Sequence, residues 1–139
     1  MRVGNQVEKR SFVLLPDPRV PGIEVSVQDM QTQYTLQNDV NELLSRARRL
    51  EAGWKKAHGA MSDREKDSNY GEALAKVLAA LRSEEGVIYP QPMLIQQIEY
   101  LGLMLRGADQ RPGKDALDRY QELQEQLNGW VTYMAEAKG

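Results

Sequence analysis

The spacing of apolar residues changes abruptly at Val13-Leu14-Leu15-Pro16-Asp17-Pro18-Arg19-Val20. A short apolar run typical of a strand stops there at two prolines, and the positions beyond it follow helical spacing. Proline fixes φ and removes a backbone donor, so it ends a strand and favours an extended connector. We therefore predict two parts: residues 1–20, a terminal strand segment of a missing β domain with a Pro-rich connector, and residues 21–139, a helical bundle.

The β part is predicted from a turn and one strand. Gly4-Asn5 is a two-residue turn signal between residues 1–3 and a strand over residues 6–15. The end of that strand, Phe12-Val13-Leu14-Leu15, is apolar without interruption, so both of its faces are expected to be covered. A short β-hairpin or an orphan strand of this size does not stand alone in water. The pattern thus favours a chain cut from something larger.

The first helix has the clearest start signal. Ser26 and Asp29 have capping-box spacing, and Val25 and Met30 have the spacing of a hydrophobic staple. Apolar residues then recur at steps of four and three, which predicts one long helix with a single buried stripe. The stripe comprises Leu36, Val40, Leu43, Ala47, Leu50, Trp54 and Ala57. Gly59 and the polar residues 61–69 are expected to end this helix.

Three further amphipathic helices are predicted, the first of them antiparallel to the long helix. Gly86 is the expected C′ residue of the second helix, Pro92 the expected first residue of the third, and Gly107 its expected end. The second stripe is Tyr70, Leu74, Val77, Leu78 and Leu81; the third is Leu94, Ile98, Leu101 and Leu105. The fourth, after Pro112-Gly113, is Ala116, Tyr120, Leu123, Leu127, Trp130 and Met134. The predicted fold is mainly α: an antiparallel bundle of four helices preceded by a short β-hairpin or orphan strand.

Length, charge and cysteine content limit the kinds of partner and chemistry that we expect for the chain. The chain has 139 residues, 41% of them hydrophobic and 27% charged, which suits one domain with a real core. A net charge of −2 exerts no overall attraction on nucleic acid or anionic lipid, so neither nucleic acid nor membrane is expected as a partner. No apolar run approaches the roughly 18 residues needed to span a bilayer. The chain has no cysteine, which excludes disulfides and thiolate ligands.

Candidate chemistry is sparse. His58 is the only histidine and is expected at the end of the first helix, where an imidazole complements exposed carbonyls. Asp63, Glu65 and Asp67 alternate like the start of a calcium loop but lack its central glycine and terminal glutamate. We therefore assign no catalytic, cofactor-binding or metal-binding residue, expect no cofactor, and predict that the chain is not an enzyme.

The remaining polar clusters have the spacing of solvated helix faces. The two tryptophans, Trp54 and Trp130, lie on predicted apolar stripes, and this position favours a place in the core over a stacking platform for a sugar or base. The acidic cluster is Asp115, Asp118, Glu122 and Glu125; the basic cluster is Arg46, Arg48, Arg49, Lys55 and Lys56.

Two stretches carry a family resemblance. One is Val3-Gly4-Asn5-Gln6 with Phe12-Val13-Leu14-Leu15-Pro16-Asp17-Pro18-Arg19-Val20 and Val27-Gln28-Asp29-Met30-Gln31-Thr32-Gln33; the other is Gly107-Ala108-Asp109-Gln110-Arg111-Pro112-Gly113-Lys114-Asp115-Ala116 with Tyr120 and Leu123. They resemble the C-terminal region of large bacterial BNR/Asp-box β-propeller proteins related to sortilin, often labelled glycosyl hydrolases. Residues 59–91 match in helical character alone.

The resemblance implies a β-sandwich strand ending in a D-P-R motif, followed by a helical region. Asp17 and Arg19 match that motif, and their implied role is to fix the corner between strand and helix. The propeller is absent here, and no catalytic residue of the family maps onto the chain. Such proteins are usually exported, so the resemblance implies a parent protein in the periplasm or outside the cell.

Three functions are open from the sequence. The leading one is a non-catalytic C-terminal helical module that packs or interacts within an exported propeller protein. Its partner would be a protein: its own upstream β domain, or a second copy through residues 6–15. The second is a free-standing helical adaptor that binds a protein partner in a groove between helices. The third, less favoured, is a carbohydrate-binding or hydrolase accessory unit.

Overall fold

The computed structural model describes residues 2–3, 6–7, 11–13, 25–83, 86, 90–107 and 110–139. Within them lie two short strands, β1 (Arg2–Val3) and β2 (Gln6–Val7), and five helices. The helices are α1 (Val27–Gly59), α2 (Asp63–Lys66), α3 (Asn69–Leu81), α4 (Leu94–Arg106) and α5 (Lys114–Lys138). The mainly α fold predicted from the sequence is confirmed.

The start of α1 forms as its sequence predicts. The Ser26 hydroxyl accepts a hydrogen bond from the backbone N–H of Asp29, and the Asp29 carboxylate accepts from the N–H and hydroxyl of Ser26. The Ser26 hydroxyl, and then its backbone N–H, hold the pKa of Asp29 below its ordinary value. This reciprocal capping box satisfies donors that a helix start leaves without partners.

Three of the helices run along one another in an unexpected order. Arg82, directly after α3, binds Glu51 in α1, so α3 lies along the second half of α1 and runs antiparallel to it. Helix α4 lies along the first half: Gly102 is packed against Val40, and the carbonyl of Leu105 is bonded by Gln33. Helices α3 and α4 therefore follow each other in the same direction and act as one interrupted rod.

Helix α5 returns along that rod. Near its start, Arg119 donates to the side chain of Gln97 in α4; near its end, the ring of Tyr133 lies 5.1 Å from the ammonium of Lys76 in α3. The architecture is thus three rods, α1, α3 with α4, and α5, rather than the predicted antiparallel bundle of four helices. The two 13-residue helices together extend about 39 Å, which with the break between them lies along most of the roughly 50 Å of the 33-residue α1, since each residue adds about 1.5 Å.

The predicted stripes supply most of the core. Its fully buried large side chains come from all three rods: Val40, Leu74, Val77, Leu81, Ile95, Ile98, Leu123 and Leu127. Trp54 and Trp130 are half-buried and pack against this core, and the Trp130 ring meets Tyr133 edge-on with centroids 5.7 Å apart. Their predicted place on the apolar stripes is confirmed, although at the edge of the core.

Several local predictions need correction. The polar stretch after Gly59 contains α2, whose start is capped by Ser62 and Glu65. Gly86 has the positive φ (85°) of a turn glycine, but α3 already ends at Leu81, so Gly86 is not its C′ residue. Pro92 precedes the N-cap of α4, Met93, instead of opening the helix. The end of α4 before Gly107 is confirmed.

Of the strand predicted over residues 6–15, the described residues show only the short strand Gln6–Val7. Among the described residues, strand pairing is limited to Arg2 with Val7 and Val3 with Gln6, and residues 11–13 belong to no strand. A hairpin with a long second arm is therefore absent where the chain is described. The turn Gly4-Asn5 and most of the predicted connector, including Asp17 and Arg19, lie outside the described residues, so the proposed boundary at residue 20 stays a prediction.

Candidate functional site

An apolar groove lies between α4 and the beginning of α5, and we call it the α4–α5 groove. Its volume is ≈ 980 Å³, at the upper end of the range usual for ligand sites. Most of its surface is apolar, contributed by α4, by the segment before α5 and by the first turn of α5: Tyr100, Leu101, Met104, Leu105, Pro112 and Ala116.

The floor and the walls of the groove differ in exposure. Leu101 and Leu105 are buried, because they belong to the α4 stripe that packs on the core. Tyr100 and Met104 stand one helical turn apart on the same helix and are 64% and 53% exposed. A buried apolar floor with exposed apolar walls has contact surface available for another apolar group.

One end of the groove is fixed by Gln33. This α1 side chain is only 5% exposed, and its amide nitrogen donates to the carbonyl of Leu105 at 2.5 Å. Its amide oxygen accepts from the backbone N–H of Gln110 at 3.2 Å. Gln37 donates a second hydrogen bond, at 2.8 Å, to the same Leu105 carbonyl. The end of α4 and the segment leading to α5 are therefore tied to α1.

The other end is fixed by Gln97. Its amide nitrogen donates to the carbonyl of Pro92 at 2.7 Å, and its amide oxygen accepts from the guanidinium of Arg119 at 2.6 Å. Arg119 also donates to Glu122 at 2.8 Å. Polar groups at both ends are thus engaged within the protein, which leaves the groove between them apolar and pre-formed.

Charged side chains of both signs lie at the rim of the groove, among them Arg111 and Asp115. The Arg111 guanidinium is 81% exposed and stands 3.7 Å from the carboxylate of Asp29, in the first turn of α1. This contact places the beginning of α1 beside the groove. An exposed ion pair of this kind contributes little to stability, and with carboxylates beside Arg111 the rim favours no particular charge on a bound partner.

A second cleft, between α1 and α5, is polar and more open. It has a volume of ≈ 770 Å³, and its lining includes Asp39, Glu42, Arg46, Arg49, Tyr120 and Gln124. Burial, then the charges of Asp39 and Glu42, raise the pKa of Tyr120. Arg46 donates to Asn128, and Gln124 donates to the Tyr120 hydroxyl. Negatively charged carboxylates and positively charged guanidinium groups both line this cleft, so it does not select a ligand of one particular charge.

The residues considered for chemistry from the sequence are dispersed. His58 lies in the last turn of α1, as predicted. The Ser62 hydroxyl, then its N–H, hold the pKa of Glu65 below its ordinary value, and Asp63 contacts Lys66. Among the described residues, no group of three or more histidine or acidic side chains is placed to hold a metal ion.

Several residues of the charged clusters form ion pairs. Arg48 binds Glu99, and Lys55 binds Glu51. In α5, Lys114 contacts Asp118, and Arg119 contacts Glu122. These pairs fit the predicted solvated faces better than a track for phosphate groups. The helices in the described part of the chain also include none that is both long and apolar enough to cross a bilayer.

The groove was missed at the sequence level. Tyr100 and Met104 lie off the predicted α4 stripe, and Gln33 is polar, so neither the stripe nor residue type marked them. One signal was available: stepping back three residues from Leu36 along the α1 stripe leads to Gln33.

Comparison of the chain with protein-family models, curated proteins and solved structures finds no match.

Proposed function

We propose that this chain is a non-catalytic protein-interaction module and that the α4–α5 groove receives an apolar segment of a partner protein. The observation that carries the proposal is the pairing of Tyr100 and Met104, which stay exposed above a buried apolar floor in a groove whose ends are fixed. A pre-formed groove lowers the ordering cost of binding. Methionine adapts to different apolar partners, and tyrosine supplies large contact area with few rotatable bonds.

The expected ligand follows from the groove chemistry. Two apolar side chains of the partner would contact Tyr100 and Met104, and its polar groups would meet the charged rim at Arg111 and Asp115. Apolar anchors of this kind dominate binding energy at protein interfaces, whereas rim charges mainly steer association. Among the described residues, Trp54 and Trp130 line neither the α4–α5 groove nor the polar cleft between α1 and α5, so neither cleft supports a carbohydrate site built on a tryptophan.

The place of this module in a larger protein remains part of the proposal. The resemblance to BNR/Asp-box propeller proteins supports a C-terminal module of an exported parent, and its evidence is the two sequence stretches quoted above. A free-standing adaptor would use the same groove. The genomic reading frame upstream of Met1 separates the two: a propeller encoded in frame supports the former, and a gene start at Met1 supports the latter.

Adjacent residues of α4 provide a matched test. Met104 lines the groove, whereas Leu103 lies outside it and is 63% exposed. Peptides selected by display on the immobilised full chain would be measured by fluorescence polarisation against the wild type, Met104→Glu and Leu103→Glu. We expect selected peptides to carry paired apolar residues and to lose about tenfold or more in affinity for Met104→Glu, which is about 1.4 kcal/mol.

The control carries the same new charge on the same helix. Leu103→Glu should bind the peptides as the wild type does, and both variants should keep the helical circular dichroism, because both side chains are exposed. Equal losses in the two variants, or selected peptides without apolar residues, would contradict the proposal.

A further inference from the structure

Phe12 and Val13 are the most exposed large apolar side chains in the described part of the chain, at 81% and 84%. Phe12 is also the only phenylalanine in the sequence. Exposing an aromatic side chain to water forgoes the stabilisation that its burial gives. These two adjacent side chains therefore gain from any apolar surface within their reach.

The α4–α5 groove is such a surface, and it lies where this segment joins the helices. Asp29, in the first turn of α1, contacts Arg111 at the groove rim, and Gln33, one turn further, lines the groove itself. The beginning of α1 is the point to which the chain leading from Val13 must connect. The segment is therefore tethered beside the groove.

The connection from Val13 to Val25 is long enough to let Phe12 and Val13 reach the groove and short enough to keep them near it. Eleven residues separate Val13 from Val25. Fully extended, they reach at most about 40 Å, since each residue adds at most about 3.3–3.6 Å. Gln33 lies about 9 Å along α1 from its first residue, Val27. A tether of this length also keeps the segment at a high effective concentration near the groove, which favours docking within one molecule over docking between two.

We propose that Phe12 and Val13 dock into the α4–α5 groove of their own chain and so compete with the partner segment. Docking buries these two side chains against Tyr100 and Met104 and shields the groove. The regulatory part of this inference rests on the proposed function, because competition requires a partner that uses the same groove. The docking itself does not.

The absence of cysteine allows a clean test in the full chain. Ser11→Cys, labelled with a nitroxide, would be combined with methyl-labelled methionine and observed by NMR. We expect the Met104 methyl signal to lose most of its intensity, while Met61, at the far end of α1, keeps it. Reducing the nitroxide should restore the Met104 signal. The broadening should be unchanged on tenfold dilution, because docking is intramolecular.

A mixed sample tests whether residues 12 and 13 of a second chain occupy the α4–α5 groove instead. Spin-labelled chains without isotope would be mixed with isotope-labelled chains without the spin label. Broadening of Met104 in that mixture, with loss on dilution, would overturn docking within the chain in favour of self-association through residues 6–15. An unbroadened Met104 in the singly labelled chain would overturn it as well.

Peptide binding separates this inference from the proposed function. Phe12→Ser combined with Val13→Ser should raise the affinity of the selected groove peptides severalfold, since the internal competitor is removed. Equal peptide affinity in both chains, with an unbroadened Met104, would refute the docking and leave the function standing. Broadening without binding of any peptide would leave the docking standing and refute the function.

Discussion

Gln33 donates its side-chain amide to the carbonyl of Leu105 at 2.5 Å, which links the beginning of α1 to the end of α4. The carbonyls of a last helical turn have no partner within the helix, and a side-chain donor from another element satisfies one of them. Because the same glutamine accepts from Gln110, one buried residue sets the position of α4 relative to the segment before α5. The shape of the groove depends on this arrangement.

Gln33→Glu should therefore loosen the groove. The substitution keeps the shape of the side chain and its acceptor for Gln110, but it replaces the donor to Leu105 by an oxygen at a 5% exposed position. We expect a loss of about 1–3 kcal/mol in unfolding free energy, together with weaker binding of groove peptides. Gln31→Glu is the control, since it makes the same change two residues away at an exposed position. Urea unfolding measures both, and an equal effect would contradict the role of Gln33.

The helices were predictable, whereas their order in space was not. The capping box at Ser26 and the stripe through Val40 and Leu43 are local patterns that the backbone period imposes, and they formed as predicted. An apolar stripe such as that of α3, however, specifies a buried face and not the neighbour that buries it. Antiparallel neighbours and an interrupted rod therefore produce the same pattern. What distinguishes them are long-range polar contacts, such as Glu51 with Arg82.

The groove could not be predicted for a related reason. Exposed apolar residues such as Tyr100 and Met104 are common singly on protein surfaces and carry meaning only when the fold brings them above a shared floor. That floor is completed by Pro112 and Ala116, which lie after α4 and reach it because α5 turns back along the same rod. Sequence spacing within one helix contains no information about this approach.

Glu51 makes the free energy of unfolding depend on pH in the acidic range. Its side chain is 7% exposed, and burial acts to raise its pKa, but hydrogen bonds from Arg82 and Lys55 outweigh burial and hold the pKa below its ordinary value of 4.5. A carboxyl group with a lowered folded-state pKa stabilises the fold above pH 4.5, and this contribution is lost as pH falls through the folded-state pKa.

Glu51→Gln tests this linkage. We expect a loss of about 1–2 kcal/mol at neutral pH, at the low end for a charged hydrogen-bonded group, because Arg82 and Lys55 are partly exposed to solvent. The difference from the wild type should shrink as pH falls below 4.5. Glu99→Gln, which breaks the more exposed pair with Arg48, should cost less. Unfolding curves at several pH values measure both, and a difference that does not change with pH would count against the assignment.

Trp130 should matter for stability and not for groove binding. It packs against the core and edge-on against Tyr133, yet it is only half-buried. Trp130→Ala should therefore cost about 2–3 kcal/mol, somewhat less than the roughly 3–5 kcal/mol of a fully buried aromatic. Tyr34→Ala, at a 67% exposed position on α1, should change stability little. A variant that melts like the wild type but no longer binds a ligand would make Trp130 a binding residue instead.

Two glycines in helices should respond to alanine in opposite directions. A Cβ atom at Gly71, near the start of α3, would fall on the backbone oxygens of Lys66 and Glu65, and backbone cannot move aside as a flexible side chain can. Gly71→Ala should therefore destabilise the protein by about 1–3 kcal/mol, as overpacking does. At Gly53, within α1, nothing lies within 4 Å of the added atom.

Gly53→Ala should consequently stabilise the protein by about 0.5–1 kcal/mol, because alanine restricts the unfolded chain and favours the helix. Thermal and urea unfolding of the two variants under identical conditions make the comparison. The pair tests the close approach of α2 to α3, since helix propensity alone predicts that both substitutions stabilise. A stabilising Gly71→Ala would mean that α2 does not lie against the first turn of α3, and the connection between α1 and the interrupted rod would then need a different path.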